Sequence, residues 1–346
     1  MKLGLSLGYW GREQPAGQAE QVALAEELGY DSIWTAEAYG SDALTPLAWL
    51  GASTSRIKLG TAIAQMSART PTATAMAAMT MDHLSGGRMM LGLGVSGPQV
   101  VEGWYGQPYR RPLARTREYF AVLRQVMARE RVAFDGEQIQ IPYDGKYGVP
   151  PTGLGKSLRS TLHPVREQIP LLLAAEGPKN IALAAEIADG WIPLFYSPYD
   201  QEFSRTALEE GFAKRSPDRL PREDFEVPCP VPVVVSDDLE AAADFVRPFI
   251  ALYVGGMGAK GANFHFDAVA RLGYEEVCHK IQDLYLDGHK DEATALVPRE
   301  LVEKIALIGP KEKIRDDLAA WQESAVTTIT VAGDAATLRL MAELVL

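Results

Sequence analysis

Residues Gly92 to Gly97 spell GLGVSG directly after an apolar run, matching the G-x-G-x-x-G spacing that can cradle a pyrophosphate on backbone N–H groups. The dinucleotide reading fails on context. That fingerprint needs its glycines to open a helix directly and to follow the first strand of a βαβ unit, whereas here PQVVEGWYGQPYRRP follows, on the fourth strand. Two readings remain for Gly94, Val95, Ser96 and Gly97. Glycines at the C-terminal end of a barrel strand let a flat ring lie against the backbone, or they form a tight surface turn.

A second candidate is Glu176-Gly177-Pro178-Lys179-Asn180, at the junction of an apolar run and a helical pattern. A helix N-terminus presents unpaired N–H groups and the positive end of its dipole, so phosphate is a natural ligand, and Lys179 would add charge. The alternative is an ordinary strand-to-helix turn. Glu37, within TAEAYG after the second strand, could hydrogen-bond a redox ring or relay a proton, or be a solvated loop acid. His83, His163, His265, His279 and His289 show neither HxH nor HExxH spacing and read as structural or exposed rather than metal-bound. GVSG and GASTS lack the G-x-S-x-G elbow of a hydrolase. The Met residues of MAAMTM and MM read as packing material.

The elements that must position these residues alternate regularly. Apolar runs at KLGLSL, DSIW, RIKLGTAI and RMMLGLG are separated by helical spacing over about 17–28, 43–53 and 70–84, with Gly29 and Gly86-Gly87 as stops. Pro112 opens a helix through Ala128. The segment 130–168, containing FDGEQIQIPYDGKYG, reads as a small hairpin plus a long loop. PLLLAA, GPKNIALAAEIA and DGWIPLF then give strand, helix and strand. A seventh strand is expected at VPVVVS, followed by a helix from Asp238 to about Tyr253, an irregular stretch to about residue 300, and a last unit from Pro310 with the eighth strand at VTTITVA. Eight βα units without a Ser/Pro-rich linker predict one α/β domain over 1–346, a (β/α)8 TIM barrel with irregular insertions at 130–168 and about 254–300, after strands four and seven. Periodicity alone does not show closure, so an open doubly wound sheet is the alternative.

The composition bounds the function. The chain has 346 residues, 47% hydrophobic and 23% charged, which suits a globular enzyme rather than a disordered segment. A net charge of -11 argues against sequence-independent nucleic-acid binding. No apolar run reaches the roughly 18 residues that a membrane helix needs, and the interrupted MKLGLSLGYWG start lacks a signal-peptide core. Cys229 and Cys278 match no zinc or redox spacing, so a cytoplasmic location is expected.

Taken together, AEELGYDSIWTAEAYG, SRIKLGTAIAQMSARTP, MTMDHLSGGRMMLGLGVSG and GPKNIALAAEIADGWIP resemble the luciferase-like monooxygenase superfamily, most specifically its actinobacterial branch that uses coenzyme F420. The resemblance spans nearly the whole chain, in order. It implies a TIM barrel with the deazaflavin at its C-terminal mouth, phosphate at the fifth helix N-terminus and the ring over strands three and four. It also implies a non-proline cis peptide between Ala62 and Ile63 that presses on the ring. Glu37, Gln65, Gly94 to Gly97 and Glu176 to Lys179 would then touch the cofactor. Two features of the family's glucose-6-phosphate dehydrogenases are missing: their His after the strand-two acid is Ala38 here, and their Glu after strand four is replaced by Gly97. Tyr9, Glu37 and Tyr39 remain as proton-donor candidates.

The resulting expectation is an F420-dependent oxidoreductase acting on a small organic substrate, as a homodimer. The alternatives are an FMN-dependent monooxygenase served by a separate flavin reductase, and a non-catalytic flavin or deazaflavin carrier.

Overall fold

The computed structural model describes residues 1–145, 148–217 and 219–346. Its strands in chain order are β1 (Lys2–Gly8), β2 (Ser32–Thr35), β3 (Lys58–Thr61), β4 (Ala64–Gln65), β5 (Met89–Gly94), β6 (Phe134–Asp135), β7 (Gln140–Ile141), β8 (Leu171–Ala174), β9 (Gly190–Ile192), β10 (Pro228–Pro230), β11 (Val233–Val235), β12 (Leu307–Gly309) and β13 (Thr328–Val331). Helices α1 (Gln18–Leu28), α2 (Leu44–Gly51), α3 (Pro71–Ser85), α4 (Pro98–Gly103), α5 (Pro112–Met127), α6 (Pro178–Ile187) and α7 (Glu202–Phe212) alternate with them. They are followed by α8 (Leu239–Gly256), α9 (Phe264–Val269), α10 (Glu275–Leu286), α11 (Lys290–Ala295), α12 (Arg299–Ile305), α13 (Lys311–Gln322) and α14 (Ala335–Val345).

The barrel wall runs β1-β2-β3-β5-β8-β9-β10-β13, all parallel, and β13 pairs back with β1 from Lys2↔Thr328 to Leu5↔Val331. Closure between β9 and β10 is made just upstream of β10, where Trp191 N–H donates to Glu226 O (2.8 Å) and Glu226 N–H to Asp189 O (3.1 Å). This closed ring decides against the open sheet. Strand residues alternate as a barrel requires. Leu3, Leu5, Ile33, Leu59, Leu91, Leu171 and Leu173 face the helices, while Trp34, Met90, Leu172 and Ile192 cluster in the interior. Trp34 fills the centre, its indole N–H donating to Ser32 Oγ (2.8 Å), and a Cβ on Gly60 would collide with its ring.

Three expectations need correction. The seventh barrel strand is Pro228–Pro230, not VPVVVS: Val233–Val235 leaves the wall and pairs with Leu307–Gly309 in a separate two-stranded sheet. Proline normally excludes a segment from a central strand because it lacks the ladder N–H. Here the strand is only three residues long, and Val231 N–H donates to Thr330 O just beyond it. The stretch 254–300 is mostly helical rather than irregular, with a loop over 257–263. Its helices are short and punctuated at Gly273 and Gly288, both at positive φ, so no long period shows in the sequence. They bury Val269, Cys278, Ile281, Ala293 and Val297 against Ala242, Val246, Ile250 and Val254 of α8 in a second apolar cluster. Finally, GLGVSG does run directly into a helix, the six-residue α4 capped at Gly97. Its place on the fourth wall strand is as expected, and so is the hairpin of β6 and β7.

Candidate functional site

The C-terminal ends of the wall strands bring several sequence candidates together. Glu37, two residues beyond β2, is buried, and both its oxygens are taken. Arg69 grips it as a fork, Nη1 to Oε2 and Nη2 to Oε1, each at 2.9 Å, and Gln65 N–H donates to Oε2 at 2.8 Å. This geometry ties down a carboxylate; it does not free one for proton relay. The bond to Glu37 holds the Arg69 guanidinium above its ordinary range. Beside it, burial and then the negative charge of Glu37 push the Tyr105 phenol up, while Tyr105 donates to Ala38 O at 3.2 Å. Gln65 Nε2 donates to Glu37 O at 3.1 Å, leaving Gln65 Oε1 buried without a partner among the described residues.

Between β3 and β4 the Ala62–Ile63 peptide is cis, and Glu37 N–H donates to Ile63 O (3.0 Å). The glycines of β5 serve this bulge. A Cβ on Gly92 would run into the Thr61 carbonyl, and one on Gly94 would lie 2.7 Å from Ile63 Cδ1. The absent side chains therefore make room first for the neighbouring strand, which brings Ile63 over Gly94. Val95, Ser96 at φ +58° and Gly97 continue the rim.

Across the mouth, Glu176 and Gly177 lead from β8 into α6. Gly177 caps the helix without a side-chain hydrogen bond, and a Cβ there would meet nothing within 4 Å, so the approach to the first turn is open. Pro178 occupies the first helical turn, where its missing N–H leaves no bond unmade. Lys179 is exposed. Arg271, from the turn after α9, donates to Glu176 O at 2.7 Å and so adds a second cation at this helix start. Glu176 Oε1 lies 2.7 Å from His265 Nδ1, and its Oε2 is buried without a partner among the described residues. The His265 ring packs edge-on against Tyr253 (4.8 Å between centroids) and Phe195 (6.0 Å). Burial, and then Tyr9 through its charge and its hydrogen bond, push the Tyr253 phenol well above its ordinary range.

The structure thus gathers Glu37, Ala62, Ile63 and Gln65 on one side and Glu176 to Lys179 on the other, with Gly94 to Gly97 along the rim. Tyr9 and Tyr39 are both exposed at the ends of β1 and β2. Sequence reasoning missed Arg69, Tyr105, Tyr253, His265 and Arg271. Arg69 could have been suspected as the cation nearest the acid's neighbouring strand. The other four sit just after α4, on α8 and in the helical insertion, and only the fold brings them to the mouth. Among the described residues no group of three His, Cys, Asp or Glu side chains could hold a metal ion. A cavity of about 490 Å³ lies at the opposite end of the barrel, but its cations are engaged: Lys2 with Glu226, Lys58 with Asp31 and Arg166 with Asp82, while Arg56 and Arg88 donate to the carbonyls of Glu26 and Ile57.

The closed parallel barrel, with an open helix N-terminus and an unpartnered amide oxygen at its C-terminal mouth, defines a barrel-enzyme architecture. The luciferase-like monooxygenase pattern matches residues 4–328, and the chain belongs to that family. A Mycobacterium tuberculosis protein provisionally named a coenzyme F420-dependent oxidoreductase is 54% identical over 100% of this chain and 99% of its own length. Among solved structures, the coenzyme F420-dependent tetrahydromethanopterin reductase of Methanopyrus kandleri superposes with a TM-score of 0.78 at 22% identity, covering 99% of this chain and 97% of that one. The oxygenating component of a Pseudomonas putida 3,6-diketocamphane monooxygenase in complex with FMN superposes at 0.66 and 15% identity, over 100% of this chain and 98% of that one.

Proposed function

We propose that this chain is a coenzyme F420-dependent oxidoreductase that moves a hydride between the deazaflavin and a small organic substrate. The observation that carries the reading is the end-to-end 54% identity to the mycobacterial relative. The site supports it. Gly177, Pro178 and Lys179 at the α6 start, with Arg271 beside them, would hold the phosphate, since the helix dipole and two cations favour an anion there. Gln65 Oε1 offers a buried acceptor for a ring N–H, and Ala62, Ile63 and Gly94 to Ser96 form the surface on which a flat ring would rest. Bound there, the deazaflavin supplies two-electron hydride chemistry. The protein orients the ring and excludes water from it. In this arrangement Glu37 is a positioning residue, because its oxygens are spent fixing Gln65 and Arg69.

Residues 1–346 read as one barrel domain with two insertions, working in the cytoplasm. Among the described residues no helix is long and apolar enough to cross a membrane. Trp49 on α2 and Met76 and Leu84 on the adjoining α3 are exposed, which supports a homodimer through these helices.

Fluorescence titration of the apoprotein with F420 and FMN in parallel, with NADPH as control, tests the reading. Submicromolar F420 binding with weak FMN binding is expected. Preference for FMN would move the chain to the oxygen-using monooxygenases, and tight NADPH binding without a flavin would refute both readings.

A further inference from the structure

We propose that Glu176 makes the phosphate end of the mouth selective for a singly charged phosphate diester, as in F420, over the dianion of a phosphate monoester, as in FMN. The proposal rests on the reading above that the α6 start holds the cofactor's phosphate.

The charges at that end are balanced rather than positive. Lys179 and Arg271 bring two cations, and Glu176 and Asp267 set two carboxylates beside Arg271. Burial lowers the Arg271 guanidinium from its ordinary range, and the charges of Asp267 and Glu176 work against that lowering. Arg271 is further occupied, since Nη2 donates to Glu176 O at 2.7 Å and the guanidinium lies 4.5 Å from the centre of the Phe203 ring. The Glu176 side chain is held in place. It keeps 11% of its surface open, and Oε1 lies 2.7 Å from Nδ1 of His265, whose own N–H is fixed by Asn263 at 3.0 Å. The second oxygen, Oε2, is buried without a partner among the described residues. In the first turn of α6 Asn180 repeats the pattern: Nδ2 donates to Ala174 O at 3.4 Å, while Oδ1 is buried without a partner among the described residues.

Two buried acceptors that lack donors therefore stand at the open helix start. A dianionic phosphate has no donor to offer them. Its second charge must leave water without a surplus cation to receive it, and it meets the Glu176 carboxylate where burial weakens screening. A diester brings one charge, which the α6 dipole and the two cations can match. In F420 the amide groups beyond the second ester bond supply donors as well.

Three probes that share the F420 ring isolate the phosphate: the deazariboflavin alcohol, its 5′-phosphate, and the methyl ester of that phosphate. Fluorescence titration of the apoprotein at pH 8 and low salt reads each Kd for wild type, Glu176→Gln and Glu176→Asp. The second proton of a phosphate monoester leaves near pH 6, so at this pH the two phosphates differ by about one charge. Wild type should bind the methyl ester more tightly than the monoester, a comparison that needs no variant. Glu176→Gln should move the ratio of the two affinities roughly tenfold toward the monoester, the order expected for removing one like charge about 10 Å away at an effective dielectric of about 20. Glu176→Asp keeps the charge and should keep most of the preference. A wild type that prefers the monoester, a ratio unmoved in Glu176→Gln, or the same loss in Glu176→Asp as in Glu176→Gln would overturn the assignment while leaving the phosphate at the α6 start. If the phosphate-free alcohol binds as tightly as both esters, the placement of the phosphate falls, and this proposal with it.

Discussion

Replacing Arg69 by alanine would strand the buried Glu37 carboxylate. Its side chain is 4% exposed and Arg69's is 24%, so the wild-type fork is largely shielded from water. Removing one partner of a buried ion pair costs roughly 3–5 kcal/mol. The Gln65 N–H at 2.8 Å remains after the change, which places the loss at the low end, about 3 kcal/mol. An unfolding entropy of about 2.1 cal/mol/K per residue gives roughly 0.7 kcal/mol/K for a chain of this length, so Tm should fall by about 4 °C. The reverse truncation, Glu37→Gln, should cost less, about 1 kcal/mol or 1–2 °C. Gln keeps an acceptor for Gln65 N–H, and Arg69 still has Asp42 at 3.7 Å and access to water. Differential scanning calorimetry of the two variants at pH 7.5 measures both shifts. If Arg69→Ala melts within 1 °C of wild type, or if Glu37→Gln is the more damaging change, the fork is not the shielded pair described.

Four further outcomes are expected. Gly60→Ala should destabilise the barrel by about 1–3 kcal/mol in denaturant melts, because its Cβ must displace Trp34 from the centre of a packed layer; a neutral result would mean that the interior has slack. Lys179→Ala should weaken FMN or F420 binding more than binding of their dephosphorylated forms in the fluorescence titration, and an equal loss would remove Lys179 from the phosphate end. Neither cysteine should react with an aromatic disulfide reagent in the native protein at pH 8, whereas both should react after denaturation. Both are buried, and burial pushes the Cys278 thiol up to about 12 and the Cys229 thiol up further. Finally, Glu26 is held below its ordinary range. Burial pushes it up, but the N–H groups of Ile57, Arg56 and Ser55 outweigh that push. Its contribution is present above the unfolded carboxylate range, near 4.3 by the reference scale, and is lost as pH falls through the lower folded value. Wild type should therefore lose Tm more steeply below about pH 4.3 than Glu26→Gln, and parallel slopes would contradict the assignment.

The sequence by itself determined the alternation of the first half. Leu3, Leu5, Ile33, Leu59 and Leu91 recur with the period of strands, and Gly29 and Gly86 stop the helices between them by taking the left-handed conformation that other residues resist. These are local facts, carried by spacing and backbone preference, and the turn from β8 into α6 was legible for the same reason. Closure was not. It depends on Trp191 and Glu226 meeting across the ring, and the proline-rich Pro228–Pro230 pattern argued against the strand that completes it. Nor could the sequence show that Arg69 occupies both oxygens of Glu37, because a side-chain fork between residues 32 apart leaves no periodic trace. His265 is the sharpest case. Its short helix lacks the length for a readable period, and its partner Glu176 lies 89 residues away, on the other side of β9, β10 and α8. Only the folding of that insertion onto the barrel mouth turns an isolated histidine and a loop carboxylate into a hydrogen-bonded pair.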